Sequence, residues 1–126
     1  MGERRILEVI RELERATGNG RFFPIVGPVK GELLYALTLV ARSAAVLELG
    51  TGIGYSCLHM VRALPPGAKM VSVDWDPRNA QEALKNLKRA GMEDVVEVSG
   101  PSGKPSQSIH GSGPPSSRSR TASPSA

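Results

Sequence analysis

Apolar residues near the start of the chain recur at helical spacing. Ile6, Val9, Ile10, Leu13 and Ala16 share one face, and Glu and Arg fill the other. The pattern predicts an amphipathic helix, closed by Thr-Gly-Asn-Gly at 17–20. The run RFFPIVGPVKG, 21–31, carries two prolines and two glycines and predicts a loop. Glu32 to Arg42 then reads as a second helix, almost wholly apolar on one side. From Ala45 the period shortens. Ala45 to Leu49 is an apolar run between turn signals, which predicts a buried strand. The stretch YSCLHMVRAL places Leu58, Val61 and Leu64 at helical spacing and stops at Pro65-Pro66-Gly67. Lys69 to Asp74 reads as a second strand. Asp76 then serves as N-cap and Pro77 as first residue of a helix to about Ala90, with Ala80, Ala83, Leu84 and Leu87 on its core face. Gly91 ends it, and Val95 to Val98 predicts a third strand.

Strand, helix, strand, helix, strand with short links is an α/β pattern: the βαβαβ half of a doubly wound parallel sheet, preceded by two helices. The 126-residue length allows one modest domain. Composition narrows it further, because from Ser99 to Ala126 there are ten Ser, five Pro and four Gly, with no acid and no aromatic. Such a segment buries too little apolar surface to offset its ordering entropy, so residues 99–126 are expected to be a disordered tail and 1–98 the folding domain. The split also removes the meaning of the basic balance. Lys104, Arg118 and Arg120 lie in the tail, leaving thirteen basic residues against twelve acids in the body, a net charge of +1. That is no footprint for nucleic acid.

One cysteine, Cys57, excludes an internal disulfide and a Cys-rich metal site, and it suits a reducing, cytoplasmic setting. On a helix beside a sheet it reads as a small core residue. His59 has no partner nearby in sequence and is expected at the surface. The longest apolar stretch, Leu33 to Ala41, is nine residues, far below the roughly 20 that span a bilayer. No membrane segment is expected.

Candidate chemistry gathers after the first strand, in VLELGTGIGYS, Val46 to Ser56. Gly50, Gly52 and Gly54 form G-x-G-x-G at the turn into a helix, where positive φ and close ligand approach both favour glycine. Asp74 ends the neighbouring strand, where a carboxylate can accept both ribose hydroxyls of an adenosine. The dinucleotide fingerprint G-x-G-x-x-G would need glycine at 55, where Tyr55 stands. Glu48, two residues before the first glycine, would repel a pyrophosphate. It suits instead a ligand with a cationic amino-acid end, as S-adenosylmethionine has. A second glycine-rich stretch, Gly100 to Ser106, fails as a phosphate loop: that motif would need glycine where Val98 stands and Ser or Thr where Pro105 stands.

Four blocks, VGPVKGELL (Val26–Leu34), VLELGTGIGYS, LPPGAKMVSVDWDP and KRAGMEDVVEV, together resemble the S-adenosylmethionine-dependent O-methyltransferases related to catechol and caffeoyl-CoA O-methyltransferases. The resemblance covers Val26 to Asp94 and implies the Rossmann-like methyltransferase fold, here incomplete. It implies that Val26 contacts the methionine portion through its backbone and that Glu48 and Gly50 line the methionyl end. The turn through Gly54, Tyr55 and Ser56 would hold the carboxylate, Asp74 the ribose, and Trp75 would pack on adenine. Lys30 and Gly31 belong to an entry motif with a positioning role. Alternatives stand beside these: Glu48 as a strand-end acid satisfied by backbone amides, Asp74 as a turn cap, Trp75 and Tyr55 as packing residues.

The family continues past Val98–Gly100 with a fourth strand and carboxylates that bind a divalent, Mg-like ion, and no Asp or Glu follows Glu97 in this chain. The expectation is thus a cofactor-binding half of an O-methyltransferase with a small-molecule acceptor in the parent family. Alone it would be inactive or weakly active, and its open sheet would favour pairing into a homo- or hetero-oligomer. A frame-shifted reading of a longer gene would account for the tail. Two rival readings are a non-catalytic S-adenosylmethionine-binding subunit and, disfavoured by Tyr55 and Glu48, an NAD-type dinucleotide-binding fragment.

Overall fold

Three short strands pair in parallel in the order β1-β2-β3, with β1 Ala45–Leu49, β2 Lys69–Val73 and β3 Val96–Ser99. Four helices accompany them: α1 Gly2–Gly18, α2 Gly27–Ala41, α3 Tyr55–Val61 and α4 Pro77–Arg89. The computed structural model describes residues 2–19 and 24–100. The tail predicted over 99–126 lies outside the described residues except for its first two positions, and Ser99 is the last residue of β3.

The register sorts the strand residues onto two faces. Val46, Met70 and Val96 stand side by side, as do Glu48, Ser72 and Val98. These point to the helices, and with the α1 residues Ile6, Val9, Ile10 and Leu13, the α3 residue Leu58 and the α4 residue Leu87 they build the core. The predicted face of α1 is thus the observed one, and Ala80, Ala83 and Leu87 of α4 are buried as their spacing implied. Side chains alternate along a strand, so Leu47, Leu49, Val71 and Val73 project from the opposite face. No helix among the described residues covers that face. The reason is topological: right-handed crossovers that step in one direction place their helices on one side of the sheet, and α1 packs on both α3 and α4 there.

Asp76 caps α4, its Oδ1 accepting from the Arg78 N–H at 2.9 Å, with Pro77 next. Gly91, at φ 73°, turns the chain out of it.

Two expectations, the loop and the surface position of His59, need correction. The predicted loop over 21–31 gives way to helix from Gly27, because Pro28 falls in the first turn, where no backbone donor is required. The apolar side of α2 does not face the core. Its buried positions are Gly31 and Thr38, which lie against α3, while Val29 is 83% and Val40 82% exposed. His59 is no surface residue: it is 1% exposed, wedged between Tyr55 and Gly31, where any Cβ on Gly31 would overlap its ring. Burial and the neighbouring Arg62 hold its pKa below the ordinary value. Arg62 ties the same two helices together, reaching Glu32 at 3.2 Å and stacking 4.1 Å over the Tyr35 ring. Smaller shifts are the end of α3 before Leu64 and the start of β3 at Val96.

Candidate functional site

The turn leaving β1 is held open from behind by β2. The N–H groups of Gly50 and Thr51 both donate to the Val73 carbonyl, at 2.7 and 3.2 Å, and the Gly52 N–H donates to Asp74 Oδ2 at 2.8 Å. The glycine turn and the strand-end acid that the sequence singled out are therefore in direct contact. Asp74 Oδ1 accepts from the Asp76 N–H at 2.8 Å and from Asn79 Nδ2 at 3.3 Å. Asp74 thus fixes the turn and the approach to α4, and its Oδ2, which takes one donor, keeps a second lone-pair direction for a ligand hydroxyl.

Gly50, Gly52 and Gly54 all have positive φ. At Gly50 and Gly52 an added Cβ would meet open space, the condition for a ligand to lie against the backbone. Gly54 differs: with φ 89°, its Cβ would come within 3.3 Å of the Ala83 backbone. There glycine serves the packing of α4 on the turn. Asn86, buried on the same helix, donates to the Ile53 carbonyl at 2.8 Å and clamps the loop from below.

Glu48 lies at the centre of a hydroxyl network. Its Oε2 accepts from Ser56 at 2.5 Å and its Oε1 from Ser72 at 2.6 Å, and Ser72 is 2.7 Å from the Thr51 hydroxyl. The acid is satisfied by hydroxyls and not, as the sequence alternative had it, by backbone amides. Burial raises its pKa, the two hydroxyls pull it back, and the Asp74 charge adds to the rise. Among the described residues it forms no ion pair. A half-buried carboxylate held only by neutral donors, beside a glycine turn with room above it, is complementary to a small cationic group.

The other sequence candidates separate. Trp75 is 83% exposed beside Asp74, its indole free to meet a flat ligand. Tyr55 turns its side chain away, its hydroxyl donating to Glu14 of α1 at 2.6 Å, and burial drives its pKa up. Only its backbone can serve the turn. Val26 occupies the N-cap position of α2, the helix packed on α3. Cys57 is buried next to Met70, its thiol pushed well up by burial. Thr51, Ser72, Asn79 and Asn86 were not singled out from sequence. Ser72 was findable: it is a polar residue at the core-facing position of a strand, beside Glu48 once the register is known. Among the described residues no three His, Cys, Asp or Glu side chains gather as a metal site.

The sequence matches the O-methyltransferase family over residues 4–109, past the point where the four motif blocks end. It is similar to the human transmembrane O-methyltransferase, 40% identical over 91 residues, which is 71% of this chain and 31% of that protein. It is also similar to the catechol O-methyltransferase of Niastella koreensis, 38% identical over 73 residues, covering 58% of this chain and 33% of that one. Among solved structures, O-methyltransferase TomG from Streptomyces achromogenes in complex with SAM superposes with TM-score 0.65 at 30% identity, over 77% of this chain and 43% of that one. The Bacillus cereus O-methyltransferase in complex with SAH gives 0.64 at 30% identity, over 75% and 42%. The chain spans about a third of the curated relatives it matches and less than half of these structures.

Proposed function

The chain belongs to the O-methyltransferase family, and from that premise we propose that its glycine turn holds S-adenosylmethionine as the methyl donor for transfer to an oxygen of a small molecule. The observation that carries this reading is the pairing of Glu48 and Asp74 across the turn: a carboxylate without a cation on one side, a carboxylate with a free lone pair on Oδ2 on the other. Glu48, steadied by Ser56 and Ser72, faces the ammonium end of the ligand. The turn and the first N–H groups of α3, which have no intrahelical acceptor, receive the ligand carboxylate. Asp74 accepts a ribose hydroxyl at Oδ2, and the exposed Trp75 closes on adenine. Val26, at the head of α2, borders the methionine portion. S-adenosylmethionine supplies the electrophilic methyl group on its sulfonium. The described residues bind and orient it and contribute no base or metal ligand, so the 126-residue chain alone turns over little or not at all. A reducing, cytoplasm-like compartment suits the free buried Cys57.

Two comparisons support the cofactor: relatives solved with SAM and with SAH share this fold at 30% identity. The test is calorimetric titration of the purified chain with S-adenosylhomocysteine and, separately, with NADH. Saturable binding of the first alone, lost in Asp74→Ala with the far-ultraviolet spectrum unchanged, is the expected result. Binding of NADH alone would transfer the site to the dinucleotide class. Methyl transfer by the chain without a partner would overturn the prediction of inactivity.

A second reading, a non-catalytic S-adenosylmethionine-binding subunit that completes its site with a partner, is favoured by the bare sheet face. It predicts the same titration result, and turnover that appears only on adding the partner.

A further inference from the structure

Ser72 is a hydroxyl at a strand position where the core takes aliphatic residues. Fully buried, it stands between Glu48 and Val98 in the register, on the face that Met70 and Val96 share. A hydroxyl so placed has to make its hydrogen bonds inside the protein. Ser72 makes two, 2.6 Å to Glu48 Oε1 and 2.7 Å to Thr51 Oγ1. Counting protons fixes their directions. An ionised carboxylate only accepts, and a hydroxyl has one hydrogen to give. Ser72 spends its hydrogen on Glu48, so Thr51 donates to Ser72. The order is Thr51 to Ser72 to Glu48, and in such a chain each bond polarises the next. Thr51 is itself fixed: it is buried between Gly50 and Gly52, and its N–H donates to the Val73 carbonyl at 3.2 Å. One serine therefore locks the glycine turn, β2 and the Glu48 carboxylate to one another.

Ser56, the other donor to Glu48, is half-buried and stands at the turn itself, so a ligand can compete for its hydroxyl. Ser72 has no surface for a ligand to touch, and its effect on binding passes through Glu48. We propose that Ser72 and Thr51 are positioning residues, a directed pair of hydroxyls that holds the Glu48 carboxylate for the ammonium end of the cofactor. Through Glu48 they set the preference for adenosyl ligands that carry an amino-acid end over those that lack one. This inference rests on the S-adenosylmethionine reading of the turn and adds to it the residues that keep the acid aimed and charged. Burial raises the Glu48 pKa, and the Ser72 hydroxyl is one of the two groups that pull it back. Loss of that hydroxyl therefore moves the protonation of Glu48, and with it the loss of ammonium binding, to higher pH.

The test is calorimetric titration of the full chain across a pH series with two probes. One is S-adenosylhomocysteine; the other is 5′-methylthioadenosine, which keeps the adenosine and the thioether and lacks the amino-acid end. The expected result is a preference for S-adenosylhomocysteine that fades as pH falls through the Glu48 pKa. Ser72→Ala is expected to cut that preference roughly tenfold at neutral pH, the order of one hydrogen bond to a charged group, and to shift its fading to higher pH. Thr51→Val shifts it the same way by less, and Thr51→Ser, which keeps the hydroxyl, restores the original profile. Methylthioadenosine affinity stays constant throughout, which a general loosening of the site would not allow. Three results would overturn the inference, and they are distinguishable. If neither probe binds the unaltered chain, the cofactor reading falls too. If both bind equally well, the adenosine site stands and the role of Glu48 falls. If S-adenosylhomocysteine is preferred but Ser72→Ala and Thr51→Val leave the pH profile unmoved, the cofactor reading stands and only the hydroxyl pair falls.

Discussion

The two faces of the sheet are built from similar residues and have opposite fates. On one, Val46, Met70, Val96 and Val98 lie under three helices, and even the polar members Glu48 and Ser72 are satisfied by each other and by Ser56 and Thr51. On the other, Leu47 is 66% and Leu49 80% exposed. Sequence composition cannot tell these faces apart, since both alternate along the same strands. What separates them is the winding. Both crossovers step from β1 toward β3, so every helix lands on one side. The glycine turn sits at the C-terminal end of β1, the strand from which a doubly wound sheet would reverse direction, and ligands bind at such points. The finished face therefore carries the glycine turn, and β1, like β3, is an edge of the described sheet.

The largest contrast is expected from truncation on the two faces. Leu58→Ala or Leu87→Ala, both fully buried, removes core contacts and leaves a cavity, costing about 2–5 kcal/mol. Leu47→Ala on the bare face is expected to change stability by no more than about 0.5 kcal/mol. Urea denaturation midpoints measure both. Equal losses on the two faces would mean that the bare face is covered in solution.

Next in size is Gly54→Ala. It places a side chain at positive φ against Ala83, a strain of about 1–2 kcal/mol. Gly50→Ala carries the φ term without the clash, so it is expected to cost stability less and S-adenosylhomocysteine affinity more. Denaturation and calorimetry on the pair separate the packing glycine from the ligand-facing one.

The smallest effect is the pH dependence. His59 has a folded pKa below its ordinary 6.5, so the unfolded chain binds more protons in that window and stability falls as pH drops below about 6.5. Glu48 has the opposite sign. Its folded pKa lies above its ordinary 4.5, so the folded chain holds the proton longer, and its contribution is lost as pH rises through the folded value. His59→Gln is expected to flatten the rising slope below about pH 6.5 and Glu48→Gln the falling slope above about pH 4.5, both read from denaturation midpoints across a pH series.

How much of this was legible follows from where each signal resides. The inward face of α1 and the cap of α4 are local patterns, set by residues three or four apart, and they read correctly. That Glu48 and Asp74 flank the glycine turn was legible, because one stands two residues before it and the other ends the neighbouring strand. Helix α2 was legible as a helix with an apolar side, but an apolar run does not say what covers it, and nothing described covers this one. His59 was misread because burial came from Gly31, 28 positions away on another helix, and no local pattern encodes that. Ser72 and Asn86 join the site only through strand register and helix docking, both tertiary facts.

Hydrogen exchange with and without S-adenosylhomocysteine tests the central claim most directly, because it reports location as well as binding. The prediction is added protection at the turn, 50–56, and at 74–76, with residues 29–40 of α2 unchanged by ligand. No added protection at the turn, or protection centred elsewhere, would contradict the assignment of the cofactor to this site.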